Sequence, residues 1–189
     1  LEVDSEIRIQ NPFEKTRDLV MEYPVAENDS EKDNAYLAYS VVVGDAMDTL
    51  TGTAFEVLDY ALLSAPGAPL KKALLDAGIG SDIYGSYGDG IRQPYFEIVA
   101  KGTEADKKEQ FLSGVRDTLK ELVEKGIDKK SLEAGINCME FRYREADFSS
   151  YPKGLMYSLA FLGTWLYSDE KAFVSAQVLP VFDKLKSLT

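Results

Sequence analysis

Strand-like and helix-like stretches are segregated along this chain, and that order limits the folds open to it. Two strand-like stretches come first, residues 17–25 (RDLVMEYPV) and 35–45 (AYLAYSVVVGD). A helical run over 48–64 follows, then a shorter one opened by Pro69. Two more strand-like stretches, 81–93 and 94–102, precede an all-helical remainder over 104–125, 128–147, 155–167 and 170–187. A doubly wound parallel sheet needs strands and helices that alternate singly. This order predicts an α+β domain instead, with a mostly antiparallel sheet of about four to six strands covered by helices on one face. Residues 1–16 are polar and poorly patterned, as in a linker or arm, and 17–189 read as a single α+β domain.

The periodicities assign faces. Leu19, Met21, Tyr23 and Val25 alternate as in a strand, which Pro24 would push toward an edge. Residues 35–45 are apolar on both faces, the pattern of a covered central strand. In 94–102, Phe96, Ile98 and Ala100 should face the core, and Tyr95, Glu97 and Lys101 should face outward. Asp48 or Thr49 caps the first helix, with Leu50, Ala54, Leu58 and Leu62 as its buried stripe. Pro69 suits the first turn of the next helix and Gly78 its end. Phe111, Leu112, Val115, Leu119, Leu122 and Val123 share one face of 104–125, which Gly126 ends. Asp128 caps the following helix, whose stripe is Leu132, Ile136, Met139 and Tyr143.

Composition removes several function classes. The net charge is −11, from 32 acidic and 21 basic residues. Such a surface repels nucleic-acid phosphates and anionic lipid, so neither nucleic acid nor membrane is an expected partner. No apolar run reaches the roughly 20 residues of a bilayer span, and LEVDSEIRIQ has no signal-peptide character. The single cysteine, Cys138, forbids an intramolecular disulfide and suits a reducing, cytoplasmic setting. There is no histidine, which removes the commonest general base and the commonest zinc ligand. The start at Leu1 suits a piece of something larger, or a processed product.

The candidate sites are sparse. Gly85, Gly88 and Gly90 lie between two strands and Lys71 and Lys72 follow Pro69, so neither stretch is a phosphate-binding glycine loop. A hairpin turn and a helix corner account for them. Glu145 with Asp147, or Glu133 with Glu140, do not follow the spacing of a calcium loop. In FRYREADFSSYPKG, Arg142 with Glu145, and Arg144 with Asp147 or Phe148, share helix faces and read as a structural network. Cys138 reads as a small core residue, since no histidine is present to activate it. Tyr87, Arg92 and Tyr95 border the glycine-rich hairpin, where an Arg and a Tyr could contact a substrate carbonyl or oxyanion.

The blocks SAPGAPLKKALLDAGIGSDI, QPYFEIVAKG and INCMEFRYREADFSSYPKGLMYSLAFLGTWLYSDE, in this order, resemble one family over residues 17–189. It is the presequence-protease branch of the insulinase-like (pitrilysin-type) zinc metallopeptidases. The resemblance implies a long chain of four homologous α+β domains, joined in two halves around a closed chamber for unfolded peptides. The first domain of such a chain carries the inverted zinc motif His-x-x-Glu-His and a distal Glu, and the last supplies an Arg and a Tyr to the substrate carbonyl. This chain looks most like the second, non-catalytic domain, and with no histidine it is not the zinc domain. The last domain's Arg would lie within the strand after the hairpin. Here that strand reads Pro94-Tyr95-Phe96-Glu97-Ile98 and Arg92 precedes it, so no catalytic residue carries over.

The resemblance therefore implies a metallopeptidase-like α+β domain that forms chamber wall in a zinc endopeptidase. Zinc would be bound outside this chain, with none in the fragment. The partners implied are other domains of the same chain and peptide substrates, with Tyr87, Arg92 and Tyr95 as possible chamber contacts. The alternative is a stand-alone binding or assembly module of the same fold.

Overall fold

The glycine-rich hairpin organises the sheet. In the computed structural model, which describes residues 4–28, 30–146 and 148–189, it joins β2 (Asp82–Gly88) to β3 (Tyr95–Thr103). β1 (Ala35–Val42) pairs with the other edge of β3, so the order is β1-β3-β2 and both pairings are antiparallel. Register places Leu37 and Ile83 on either side of Ala100, and Tyr39 and Gly85 on either side of Ile98. These positions form the face that packs on the helices. The opposite face carries Tyr36, Ser40, Tyr84 and Glu97, and Ser40 Oγ donates to Glu97 Oε1 at 2.6 Å. The α+β class, the antiparallel pairing and the one-sided helical cover expected from sequence are all present.

Three strands form among the described residues, fewer than the four to six expected. Residues 17–25 keep their alternation but take no regular structure. Leu19, Val20 and Met21 are 85%, 94% and 87% exposed, so neither face of the segment is covered. An isolated strand makes no ladder hydrogen bonds, and alternation cannot supply the missing neighbour. The second correction concerns 35–45, read as the covered central strand. β1 is an edge strand with Tyr36, Val41 and Val42 exposed, and the central strand is β3, where Ile98, Val99 and Ala100 are buried.

Helices cover the sheet in two groups. α1 (Thr49–Asp59) is capped by Asp48, whose Oδ1 accepts from Thr51 N at 3.1 Å and whose Oδ2 accepts from Thr51 Oγ1 at 2.7 Å. Its last residues continue as a π-helical turn, Tyr60–Ser64, closed by Ala65 N donating to Tyr60 O at 2.8 Å. α2 (Pro69–Asp76) starts on Pro69 and stops at Gly78, whose φ of 66° favours glycine. Leu63, Leu70, Leu74, Ile79, Ile83, Ile98, Phe111 and Val115 form the larger core, joining this corner and α3 (Lys108–Lys125) to the sheet. SAPGAPLKKALLDAGIG is thus a helix corner that packs through Leu70, Leu74 and Ile79.

α4 (Lys129–Glu145) and α6 (Leu179–Leu188) form the second core with α1, through Val57, Ile136, Met139, Val178, Phe182 and Leu185. Asp128 caps α4, accepting from Ser131 N at 2.8 Å. Cys138 packs against this core. Glu140 is buried between Arg144, which donates at 2.7 Å, and Lys186 of α6. Arg144, expected beside Asp147 or Phe148, instead reaches back one turn to Glu140; Asp147 lies outside the described residues, and the Phe148 ring packs on Tyr157. α5 (Lys153–Trp165) sits nearby. The single helix expected over 170–187 is divided into a 3-10 turn at Val174–Gln177 and α6. Pro180 has no N–H to donate and disfavours helical geometry just before it, so the helix restarts there. Val123, placed on the α3 stripe, is exposed, while Leu119, Leu122 and Ile127 pack on the larger core.

The sheet and the helices come close at Gly85. A Cβ built there would lie 2.3 Å from Leu63 Cδ1 and 2.5 Å from Asp59 Oδ1. Gly85→Ala is expected to lower stability by about 2 kcal/mol through overpacking, read as a fall in urea midpoint at unchanged slope. A midpoint equal to that of the parent sequence would mean the layers are not held by this contact.

Candidate functional site

Beside the second core, the sheet, α1, α4 and α5 leave a cleft of about 320 Å³. Asp48, Gly52 and Glu56 recur every fourth residue, so α1 presents them along one wall. Tyr87 and Asp89, at and just after the end of β2, form a second wall, and Tyr143 of α4 a third. α5 closes the rest with apolar and small residues such as Leu159 and Gly163.

Gly52 is small for a reason visible here. A Cβ at that position would lie 3.0 Å from Tyr87 Oη, so the glycine makes room for the phenol. Tyr87 stacks on Phe55 with ring centroids 6.1 Å apart, which fixes it at the rim. Tyr143 packs against Phe182, centroids 5.6 Å apart, and turns its hydroxyl to Glu56, 3.3 Å from Oε1. Burial, and secondly the Asp89 charge, push the Glu56 carboxyl up from 4.5 to about 7. Burial and the neighbouring Asp89, Glu56 and Asp48 charges push Tyr87 up to about 12. Tyr143 is raised as well, by burial and then by Glu56 and Asp89. Carboxyl and phenol groups thus share one partly dry space.

The three residues singled out around the hairpin go to different places. Tyr87 lines the cleft. Arg92 does not; its Nη1 donates to the carbonyl of Ile7, and the adjacent Gln93 exchanges two hydrogen bonds with the backbone of Gln10. These contacts strap the N-terminal arm to the hairpin. Tyr95 pairs with Gly88 and Val42 in the sheet, and its ring lies so close to Gly88 that a Cβ there would be 2.5 Å from it.

The comparisons with known proteins bear on what such a domain is. Residues 6–139 match the family described as the Peptidase M16 inactive domain. This chain belongs to that family. It is 43% identical over 186 residues to Protein HypA of Clostridium perfringens, covering 98% of this chain and 19% of that protein. It is 33% identical over 165 residues to presequence protease 1, chloroplastic/mitochondrial, of Arabidopsis thaliana, covering 86% of this chain and 15% of that protein. The chain thus spans 19% or less of the length of these curated relatives. The inactive peptidase domain of a Bordetella parapertussis protein assigned as a zinc protease superposes with a TM-score of 0.59 at 16% identity, over 79% of this chain and 82% of that one. That likeness concerns the fold. The family read from the sequence blocks is the one to which the chain belongs.

The residues of this M16 inactive domain do not fit a zinc site. It has no histidine, and no group of three His, Cys, Asp or Glu among the described residues could hold a metal. Glu133, once paired in sequence with Glu140, lies 3.9 Å from Lys129, while Glu140 is taken by Arg144 and Lys186.

Glu56 escaped the sequence reading, although a signal was there. It is an acidic residue between Phe55 and Val57, on a run that is otherwise mostly apolar. Its folded value exceeds the ordinary 4.5, so the fold accommodates the neutral acid better than the anion. The stabilising contribution is fully present below 4.5 and is lost as pH rises toward 7. Glu56→Gln should therefore gain stability over the parent sequence at pH 8, by roughly 2 kcal/mol, and little at pH 4. Denaturant midpoints at the two pH values read this, and equal gains at both would assign the effect to packing.

Proposed function

We propose that this chain is the second, non-catalytic domain of a multi-domain zinc endopeptidase, where it forms chamber wall and holds neighbouring domains in place. α5 carries the reading. Its sequence, KGLMYSLAFLGTW, is apolar nearly all round, the composition of a helix enclosed by protein. Yet its buried residue is Thr164, whose hydroxyl donates to Ala172 O at 2.9 Å. Leu162, Trp165 and Leu166 at its surface are all more than half exposed. A helix that turns a threonine inward and leucines outward is organised around a partner on its outer side. The small share of the relatives' length spanned here supports a further domain of the same chain as that partner.

Catalysis in such an enzyme belongs to zinc held elsewhere, and this domain contributes shape. An antibody raised to the fragment should detect, in source lysate, a native polypeptide several times larger than 21.0 kDa. In that polypeptide Leu162→Glu should reduce peptide cleavage at least tenfold, because it would place a charge in an apolar contact. A band near 21.0 kDa would overturn the proposal in favour of a stand-alone binding or assembly module. Full activity of the Leu162→Glu protein would remove α5 as the contact.

A further inference from the structure

The cleft between α1 and the hairpin contains acids without a matching base. Glu56 and Asp89 both line it, and neither forms an ion pair among the described residues. The groups facing Glu56 are Asp89 from the hairpin, Tyr87 of β2, and Tyr143 and Arg142 of α4. Arg142 acts on Glu56 more weakly than Asp89 does. Asp48 is already engaged as the cap of α1. On the far wall, Ser175 lines the same cleft, and its Oγ is buried with no hydrogen-bond partner. The buried Ser175 hydroxyl has no partner and the half-buried Glu56 takes only the Tyr143 hydroxyl, so the cleft lacks a hydrogen-bond donor, and the exposed Asp89 at its mouth favours one with a positive charge.

The size and lining narrow the class. About 320 Å³ exceeds what one water or one metal ion fills, and matches a side chain of several carbons with its charged end. Leu159 and Val178 offer apolar contact for such a stem, and the Tyr87 and Tyr143 rings line the same space. We propose that this cleft binds an alkylammonium or guanidinium group carried by a peptide, with Glu56 and Asp89 as its carboxylate partners and the Ser175 hydroxyl as an acceptor. It is a cation-selective subsite on a domain that carries no catalytic group. The inference rests on the peptidase reading only for the supply of peptides; the site is complete within this chain.

Binding of the cation favours the Glu56 anion, so affinity should rise with pH through the range in which that carboxyl ionises. The test uses the native polypeptide that carries this segment, stripped of metal with a chelator so that peptides are bound and not cut. Two labelled, N-acetylated peptides differ only in lysine against norleucine, and fluorescence anisotropy reads their affinities. The lysine peptide should bind about fivefold tighter or better at pH 8. That advantage should shrink at pH 6 and vanish in Glu56→Gln and Asp89→Asn, with melting temperatures reported alongside. A preference seen only when the peptide's amino terminus is free would assign the subsite to the terminal ammonium, which is the same chemistry from a different source. Equal binding of lysine and norleucine peptides with either terminus would overturn the proposal, as would a preference that survives both substitutions. Failure of the chamber reading shows separately, in the size of the native polypeptide and the response to Leu162→Glu.

Discussion

The absence of a side chain at Gly85 sets the distance between the two layers of this domain. Leu63 Cδ1 and Asp59 Oδ1 occupy the space that a Cβ would take. The π-helical turn that carries Leu63 is thereby held against β2 and β3, and α1, which leads into it, is fixed over the same sheet. The larger core fills around that contact. The contact carries a cost: Asp59 Oδ1 is buried there without a hydrogen-bond partner, and burial pushes the pKa of that carboxyl above its ordinary value. Apolar burial throughout the cluster offsets it.

With α1 fixed, the cleft follows from the helix period. Asp48, Gly52 and Glu56 fall on the face that α1 turns toward the hairpin, and Tyr87 rests against Gly52. α4 and α5 close the other sides, and α4 is joined to α6 by Glu140 between Arg144 and Lys186 and by the core that includes Ile136, Met139 and Phe182. Both partners of Glu140 are half exposed, so the pair contributes orientation more than stability. The second core supplies most of the adhesion, and it also positions Tyr143 against Phe182 with its hydroxyl toward Glu56. One packing arrangement thus holds the helices together and gathers the polar groups of the cleft.

Much of this was legible in the residues because the signals are local. Asp48 and Asp128 cap their helices, Gly78 and Gly126 end theirs at positive φ, and the register of β3 puts Phe96, Ile98 and Ala100 on one face, although Val99 on the other face is buried too. The failures are also physical. Residues 17–25 alternate like a strand, but a strand exists only through a neighbour, and no periodicity reports whether one is present. Residues 35–45 are apolar on both faces, yet edge or centre is decided by which strand pairs with which. For the site, Tyr87 was found from its place at the hairpin. Glu56 was missed, because its meaning depends on Asp89, 33 residues later in sequence, and on Tyr143, 87 residues away.

By itself the sequence determined the fold class, the family, the capped ends of its helices and, through the lack of histidine, that no histidine-ligated zinc site can be built from these residues. These properties depend on residue type and on spacing within a few turns, both of which a single chain displays. Only the tertiary structure decided that three strands pair among the described residues, that α5 turns leucine outward and threonine inward, and that Arg92 holds the arm while Tyr87 faces the cleft. It also decided that Glu56 sits in a partly dry space beside a second carboxylate. Each of these depends on contacts between residues far apart in the chain, and the field at Glu56 is set by the groups that folding brings around it, which no local pattern records.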